Sequence, residues 1–279
     1  MPDVRLLGRS RVFDWLDDVL ARSRGCGRPR VWFTEPVSED RSVVLIHGVS
    51  SSHLTWWRNA QDLTDLHWRV QTVDLLGHGD RADGGNDDLR VDDLARDVLE
   101  QLAEPVDLVV GHSLGAIVAL TVVTMAPHQT SALIIEDPPA SAAVLDLGEI
   151  ADQLTVTVDN TRHDPQAAAE AVLRENPMWS VVDASNSVQN RLRLDLERVC
   201  RLLRTADWDL PTLVAGCPVP LYLLVATQNS ALVDPDRAAV TRLLGDGRVS
   251  VLDSRHDIHR DRPALWLHET LRFAGDRRG

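Results

Sequence analysis

Val106-Asp107-Leu108-Val109-Val110-Gly111-His112-Ser113-Leu114-Gly115, running on into Ala116-Ile117-Val118-Ala119-Leu120, is the stretch that decides the fold. A short apolar run of strand type meets a tight Gly-x-Ser-x-Gly turn, and a helix-compatible apolar segment begins at once. Ser113 is the candidate nucleophile. A serine in such a turn sits in a strained backbone conformation with its hydroxyl lifted clear of the sheet edge, and the turn leaves no room for side chains at 111 and 115. The N–H of Leu114 then stands free at a helix N-terminus, where the helix dipole favours a developing negative oxygen. Alone, the five-residue pattern is weak, because an ordinary glycine-flanked loop serine fits it equally well.

The rest of the chain supplies the context. Its 279 residues, 44% of them hydrophobic, suffice for one large α/β domain with an inserted subdomain. The formal charge of -13 speaks against nucleic acid or an anionic membrane as the main partner. No oligomeric partner is read from the sequence. All 29 basic residues are arginine, so Schiff-base catalysis by a lysine is excluded. Cys26, Cys200 and Cys217 have neither disulfide-framework nor zinc-site spacing, and the first thirty residues carry no apolar core of a signal peptide. No run is long enough to cross a bilayer. A cytoplasmic protein without metal or other cofactor is expected.

In chain order, residues 11–24 have the spacing of an amphipathic helix, and residues 31–34 read as a strand. Ser42 to Ile46 is a continuous apolar run of the kind buried on both faces of a parallel sheet, and it ends in His47-Gly48-Val49-Ser50-Ser51-Ser52. Val70 to Val73 is a further strand, followed by Asp74-Leu75-Leu76-Gly77-His78-Gly79. Residues 88–103 have a helical period, and the Ser113 strand comes next. Alternation of this kind implies a mostly parallel central sheet with helices on both faces.

His47-Gly48-Val49 after one strand, Asp74-Leu75-Leu76-Gly77-His78-Gly79 after the next, and Gly111-His112-Ser113-Leu114-Gly115 after the third resemble the α/β-hydrolase fold superfamily. His256, within Asp253-Ser254-Arg255-His256-Asp257-Ile258-His259, is similar to that superfamily's late histidine loop. The resemblance covers about residues 31–275. It implies that Ser113 attacks an acyl carbon while His256 takes its proton, with His259 the rival imidazole three residues on. The backbone N–H groups of Val49 and Leu114 would form the oxyanion hole. His47 and His78 fall in loops that support the site. A His-x-x-His metal pair is discounted for want of a third ligand.

The orienting acid departs from the commonest pattern. After Pro220-Leu221-Tyr222-Leu223-Leu224-Val225-Ala226 the superfamily usually has an aspartate, but this chain continues Thr227-Gln228-Asn229-Ser230. A second location is the end of the strand after the nucleophile helix, here Ala132-Leu133-Ile134-Ile135-Glu136-Asp137-Pro138. Successive strand residues face opposite ways, so only one of the two carboxylates can meet the histidine. Asp137 is the preferred acid, with Glu136 and then Asp234 as alternatives.

Residues 139–211 read as helices over 147–158, 165–175 and 186–205, broken by Pro177 and Pro211, and by position they form a cap. The expected division is a core of residues 1–138 and 212–279 with a helical cap of 139–211. His47, Trp57, Met178 and Trp179 are assigned to the substrate pocket. The activity expected is a cofactor-independent serine hydrolase acting through an acyl-enzyme on an ester, lactone or thioester of a small, largely apolar substrate. The alternatives are a biosynthetic cyclase or C–C bond hydrolase on the same groups, and a small-ligand binding protein that has lost turnover.

Overall fold

The computed structural model describes residues 41–275 apart from residues 86 and 103. The helix expected over 11–24, the strand over 31–34 and Cys26 lie outside the described residues. Six parallel strands form one sheet: β1 (Arg41–Ile46), β2 (Trp68–Val73), β3 (Leu108–His112), β4 (Leu133–Glu136), β5 (Leu221–Ala226) and β6 (Val249–Leu252), in the order β2-β1-β3-β4-β5-β6. The sheet is covered by helices on both faces, as the alternating pattern implied.

The strands sort their side chains by parity. In β1, Val44 and Ile46 join one apolar cluster, while Val43 and Leu45 join the other. The same division runs through β5, with Leu221, Leu223 and Val225 on the first side and Tyr222, Leu224 and Ala226 on the second. Each fully buried aliphatic side chain contributes about 1.5–3 kcal/mol, so a register slip of one residue would invert both faces at large cost. The first face is covered by α2 (Val91–Gln101) and α3 (Leu114–Met125). The second is covered by Leu63 of α1 (Trp57–Asp65) and by Trp266. Helix α3 is apolar on every side, as a helix packed between sheet and neighbours must be.

Between β4 and β5 come five helices: α4 (Leu147–His163), α5 (Pro165–Glu175), α6 (Val181–Leu192), α7 (Leu196–Thr205) and α8 (Leu210–Ala215). Two expectations are corrected here. The single helix read over 186–205 is split, because Asp195 caps α7 by accepting from the Arg198 N–H, and its own N–H donates to the Gly77 carbonyl at 3.0 Å. Pro211 does not break a helix but sits in the first turn of α8, where its missing N–H costs nothing. After β5 follow α9 (Asp236–Leu244), then β6, then the short α10 (Ile258–Asp261) and α11 (Pro263–Gly275). Among the described residues no helix is long and apolar enough to cross a membrane.

Candidate active site

Ser113 lies between the end of β3 and the start of α3 with φ 52° and ψ -124°, a left-handed conformation that a non-glycine residue holds only under constraint. The constraint is close packing. A Cβ on Gly111 would come within 2.3 Å of the Gly115 carbonyl oxygen, and one on Gly115 within 2.4 Å of the Ile46 and His47 carbonyls. The Ser113 N–H is tied to the Glu136 carbonyl at 3.0 Å. Leu114 is the first residue of α3, and neither its N–H nor that of Val49 finds an acceptor among the described residues.

The two carboxylates at the end of β4 part company. Asp137 is fully buried with φ 40°, and its Oδ2 lies 2.6 Å from His256 Nδ1. Three further donors hold it: the Ala226 N–H at 3.0 Å and the Ser230 hydroxyl at 2.6 Å on Oδ1, and the Ala231 N–H at 3.0 Å on Oδ2. Burial opposes a charge on His256, but the Asp137 hydrogen bond and the nearby Asp257, Asp137 and Glu136 charges outweigh it and raise the imidazole above its ordinary value. Ser113 Oγ makes no hydrogen bond to His256 in this structure, although both line one cavity.

Glu136 points to the other face. Its Oε1 accepts from the His259 N–H at 2.9 Å and meets His259 Nδ1 at 2.8 Å, while Oε2 accepts from Trp266 Nε1 at 2.9 Å. Burial alone would raise its carboxyl. The His259 and His112 imidazoles and the His259 bonds outweigh that and hold it below the usual range. His259 Nε2 lies 2.7 Å from the Thr55 hydroxyl, so both nitrogens of the rival histidine are engaged. Between the two histidines stands His112, 4.6 Å from the His256 ring and 4.8 Å from the His259 ring. Burial lowers its pKa to about 4, which keeps it neutral near pH 7.

Comparison with known proteins adds the family. The model of the alpha/beta hydrolase family matches residues 43–269. This chain belongs to that family. A pimeloyl-[acyl-carrier protein] methyl ester esterase of Aliivibrio fischeri is 35% identical over 204 residues, covering 68% of this chain and 75% of the relative. Lipase LipV of Mycobacterium tuberculosis is 33% identical over 144 residues, half of this chain and 52% of the relative. Among solved structures, a hydrolase from Pseudomonas aeruginosa PA01 superposes with a TM-score of 0.66 at 18% identity, covering 89% of this chain and 100% of that one.

In this hydrolase the cavity over Ser113 measures about 220 Å³. Its walls are the β1 loop (Val49, Ser50, Ser51), His112 and Ser113, residues from α6 (Ser187, Asn190, Arg191) with Trp179 just before it, and the histidine loop (His256, Asp257, Arg260). Of the four residues assigned to the pocket, only Trp179 lines it. His47 is fully buried, with Nδ1 on the Gly48 carbonyl and Nε2 accepting from the Leu75 N–H. Trp57 is bonded through Nε1 to Asp183 instead, and Met178 is 55% exposed. Asp234 is exposed and reaches no histidine. The walls are mostly polar, which does not match the expectation of a largely apolar substrate. Arg191, Asp257 and Arg260 went unassigned because nothing in a helical period or a loop tells which polar residue turns inward.

Two groups of ligand-type side chains, His112 with Asp257 and His259, and His53 with Asp74 and Asp80, bring their atoms within 4.8 Å of one another. In the first, both His259 nitrogens are already bonded and His112 Nε2 meets the His256 carbonyl at 3.2 Å. In the second, Asp74 is spent on the His53 and Asp80 N–H groups and the His53 ring. Neither is a set of free ligands.

Proposed function

We propose that this chain is a cofactor-independent serine hydrolase cleaving a small ester or thioester through an acyl-enzyme. The observation that carries the reading is the 2.6 Å Asp137–His256 pair, with His256 and Ser113 lining one cavity. Asp137 accepts the Nδ1 proton, which fixes the tautomer whose Nε2 is basic and stabilises the imidazolium formed when Nε2 takes the Ser113 proton. Ser113 Oγ attacks the acyl carbon, the unbonded Leu114 and Val49 N–H groups receive the negative oxygen, and His256 returns its proton to the leaving group. Water then repeats the sequence on the acyl-enzyme. A serine–histidine bond that is absent without substrate is compatible with this scheme, because such contacts tighten in the substrate complex.

The esterase names of the relatives support ester cleavage. Helices α4–α8 serve in this reading as the cap, with α6 closing the cavity. The unpaired thiols of Cys200 and Cys217 support a reducing compartment such as the cytoplasm. The test is a rapid-mixing assay with p-nitrophenyl acetate and butyrate. A burst of one equivalent of nitrophenol that vanishes in Ser113→Ala establishes the acyl-enzyme, whereas turnover that survives Ser113→Ala overturns it.

A further inference from the structure

The cavity holds two guanidinium groups that have no carboxylate partner. Arg260 is 7% exposed, yet its Nε has no hydrogen-bond acceptor, and its bonded Nη1 finds only the Ser187 hydroxyl at 3.0 Å. The planar group lies 4.5 Å over the Trp179 ring, which fixes its orientation. The guanidinium of Arg191, half-buried at the end of α6, makes neither a hydrogen bond nor an ion pair among the described residues. By contrast, Arg193, two residues on, meets Asp80 at 2.9 Å. Asp257 on the cavity wall, with Asp183, Glu136, Asp261 and Glu175 behind it, acts on the two guanidinium groups at longer range, but none of these acids pairs with either. Burial, the largest influence, pulls both guanidinium groups below their ordinary pKa, and the acids around them do not restore it.

A buried guanidinium whose N–H groups find no acceptor is costly unless something bonds to them. We propose that Arg191 and Arg260 form an anion subsite beside Ser113, and that the substrate is a half-ester or half-thioester of a short dicarboxylic acid whose free carboxylate they bind. This rests on the hydrolase reading for the ester end and on the arginines alone for the acid end. The arginine fork matches a carboxylate edge with two parallel N–H bonds. A volume of about 220 Å³ lies below the range of roughly 300–1,000 Å³ usual for drug-sized ligands, which suits a short chain. Asp257 would select against a second free carboxylate, so a half-ester fits better than the diacid product, and repulsion of the product's new carboxylate favours its release.

The test compares monomethyl glutarate with methyl pentanoate, two methyl esters of equal chain length, by pH-stat. In the intact protein kcat/KM for the half-ester is expected to exceed that for the neutral ester by about tenfold or more, the scale of one charge-assisted bond. In Arg191→Gln that ratio falls by about tenfold, and Arg191→Lys keeps a good part of it. Arg260→Gln is the second variant, and Arg191, at the less buried site, keeps the test open if that one fails to fold. A ratio at or below one in the intact protein, or one unchanged in both glutamine variants, overturns the subsite and leaves the hydrolase reading standing. If neither ester is cleaved, calorimetry of monomethyl glutarate on Ser113→Ala decides: binding that weakens with Arg191→Gln upholds the subsite, no binding overturns it, and the nitrophenyl-ester burst judges the hydrolase reading separately.

Discussion

Adjacent residues at the end of β4 each hold a histidine through Nδ1, at 2.6 Å for Asp137–His256 and 2.8 Å for Glu136–His259. The chemistry of the two pairs is the same and their surroundings differ. The His256 side chain is 28% exposed and reaches the cavity, while that of His259 is 0% exposed and spends Nε2 on Thr55. With Nδ1 on Glu136 and Nε2 on Thr55, His259 offers no free nitrogen to the cavity. In the proposed mechanism, what separates the base from the strut is therefore the second nitrogen, not the carboxylate. The alternation of a strand sends Glu136 to the Trp266 face, and the turn at Asp137 sends its carboxylate to His256 and the loop after β5.

The strongest way to break this comparison is to neutralise each carboxylate in turn. Asp137→Asn should lower kcat/KM about 10⁴-fold, because an amide at that place favours the wrong imidazole tautomer, as steady-state kinetics on p-nitrophenyl butyrate would record. Glu136→Gln should cost less than tenfold per folded molecule. Equal losses would mean that the pairs act as one unit and that the division into base and strut is wrong.

The order reverses for stability. In Glu136→Gln the amide offers a single acceptor oxygen to three donors, so either Trp266 Nε1 or the His259 groups lose a partner, at about 1–3 kcal/mol. Urea unfolding should show that loss as a lower midpoint with an unchanged slope. Should the midpoint stay put, the buried Glu136 network is not a strut.

The sheet was legible because parallel strands buried on both faces appear as unbroken apolar runs, and the turn around Ser113 because only glycine fits at 111 and 115. The preference for Asp137 came from the resemblance to the superfamily, and the parity argument could not name the histidine that each carboxylate meets, since that depends on the positive φ at Asp137. The segment between β4 and β5 was read as helical with the joint before Leu196 missed, as Asp195 is a helix cap only once its loop is tied to Gly77. His47 was misassigned to the pocket because two backbone groups consume its nitrogens, which no side-chain pattern records. Ser230 was passed over for lacking a carboxylate. The β5 loop nevertheless serves the site by sending its hydroxyl and the Ala231 N–H to an acid on β4.

That division of labour sharpens the comparison at a smaller scale. Ser230→Ala removes one of four partners of the Asp137 carboxylate, while Glu136 keeps all of its own. A loss of about tenfold in kcat/KM, or about 1.4 kcal/mol, is expected with little change in the urea midpoint. A loss as large as that of Asp137→Asn would mean that the hydroxyl, rather than the carboxylate, orients His256.

The smallest effect concerns protons. Protonated His256 cannot accept from Ser113, so kcat/KM should rise with pH through the pKa of this imidazole. That pKa is raised, which puts the acid limb above 6.5, the ordinary histidine value. Asp257 is one of the charges that raise it, and it touches neither His259 nor Asp137 by a hydrogen bond. Asp257→Asn should therefore move the limb to lower pH, read from a profile over pH 5–8. His112, held near 4, stays neutral across that range and cannot supply the limb. A limb that does not move, or that moves upward, would show that another group than the exposed member of the two pairs governs the rate.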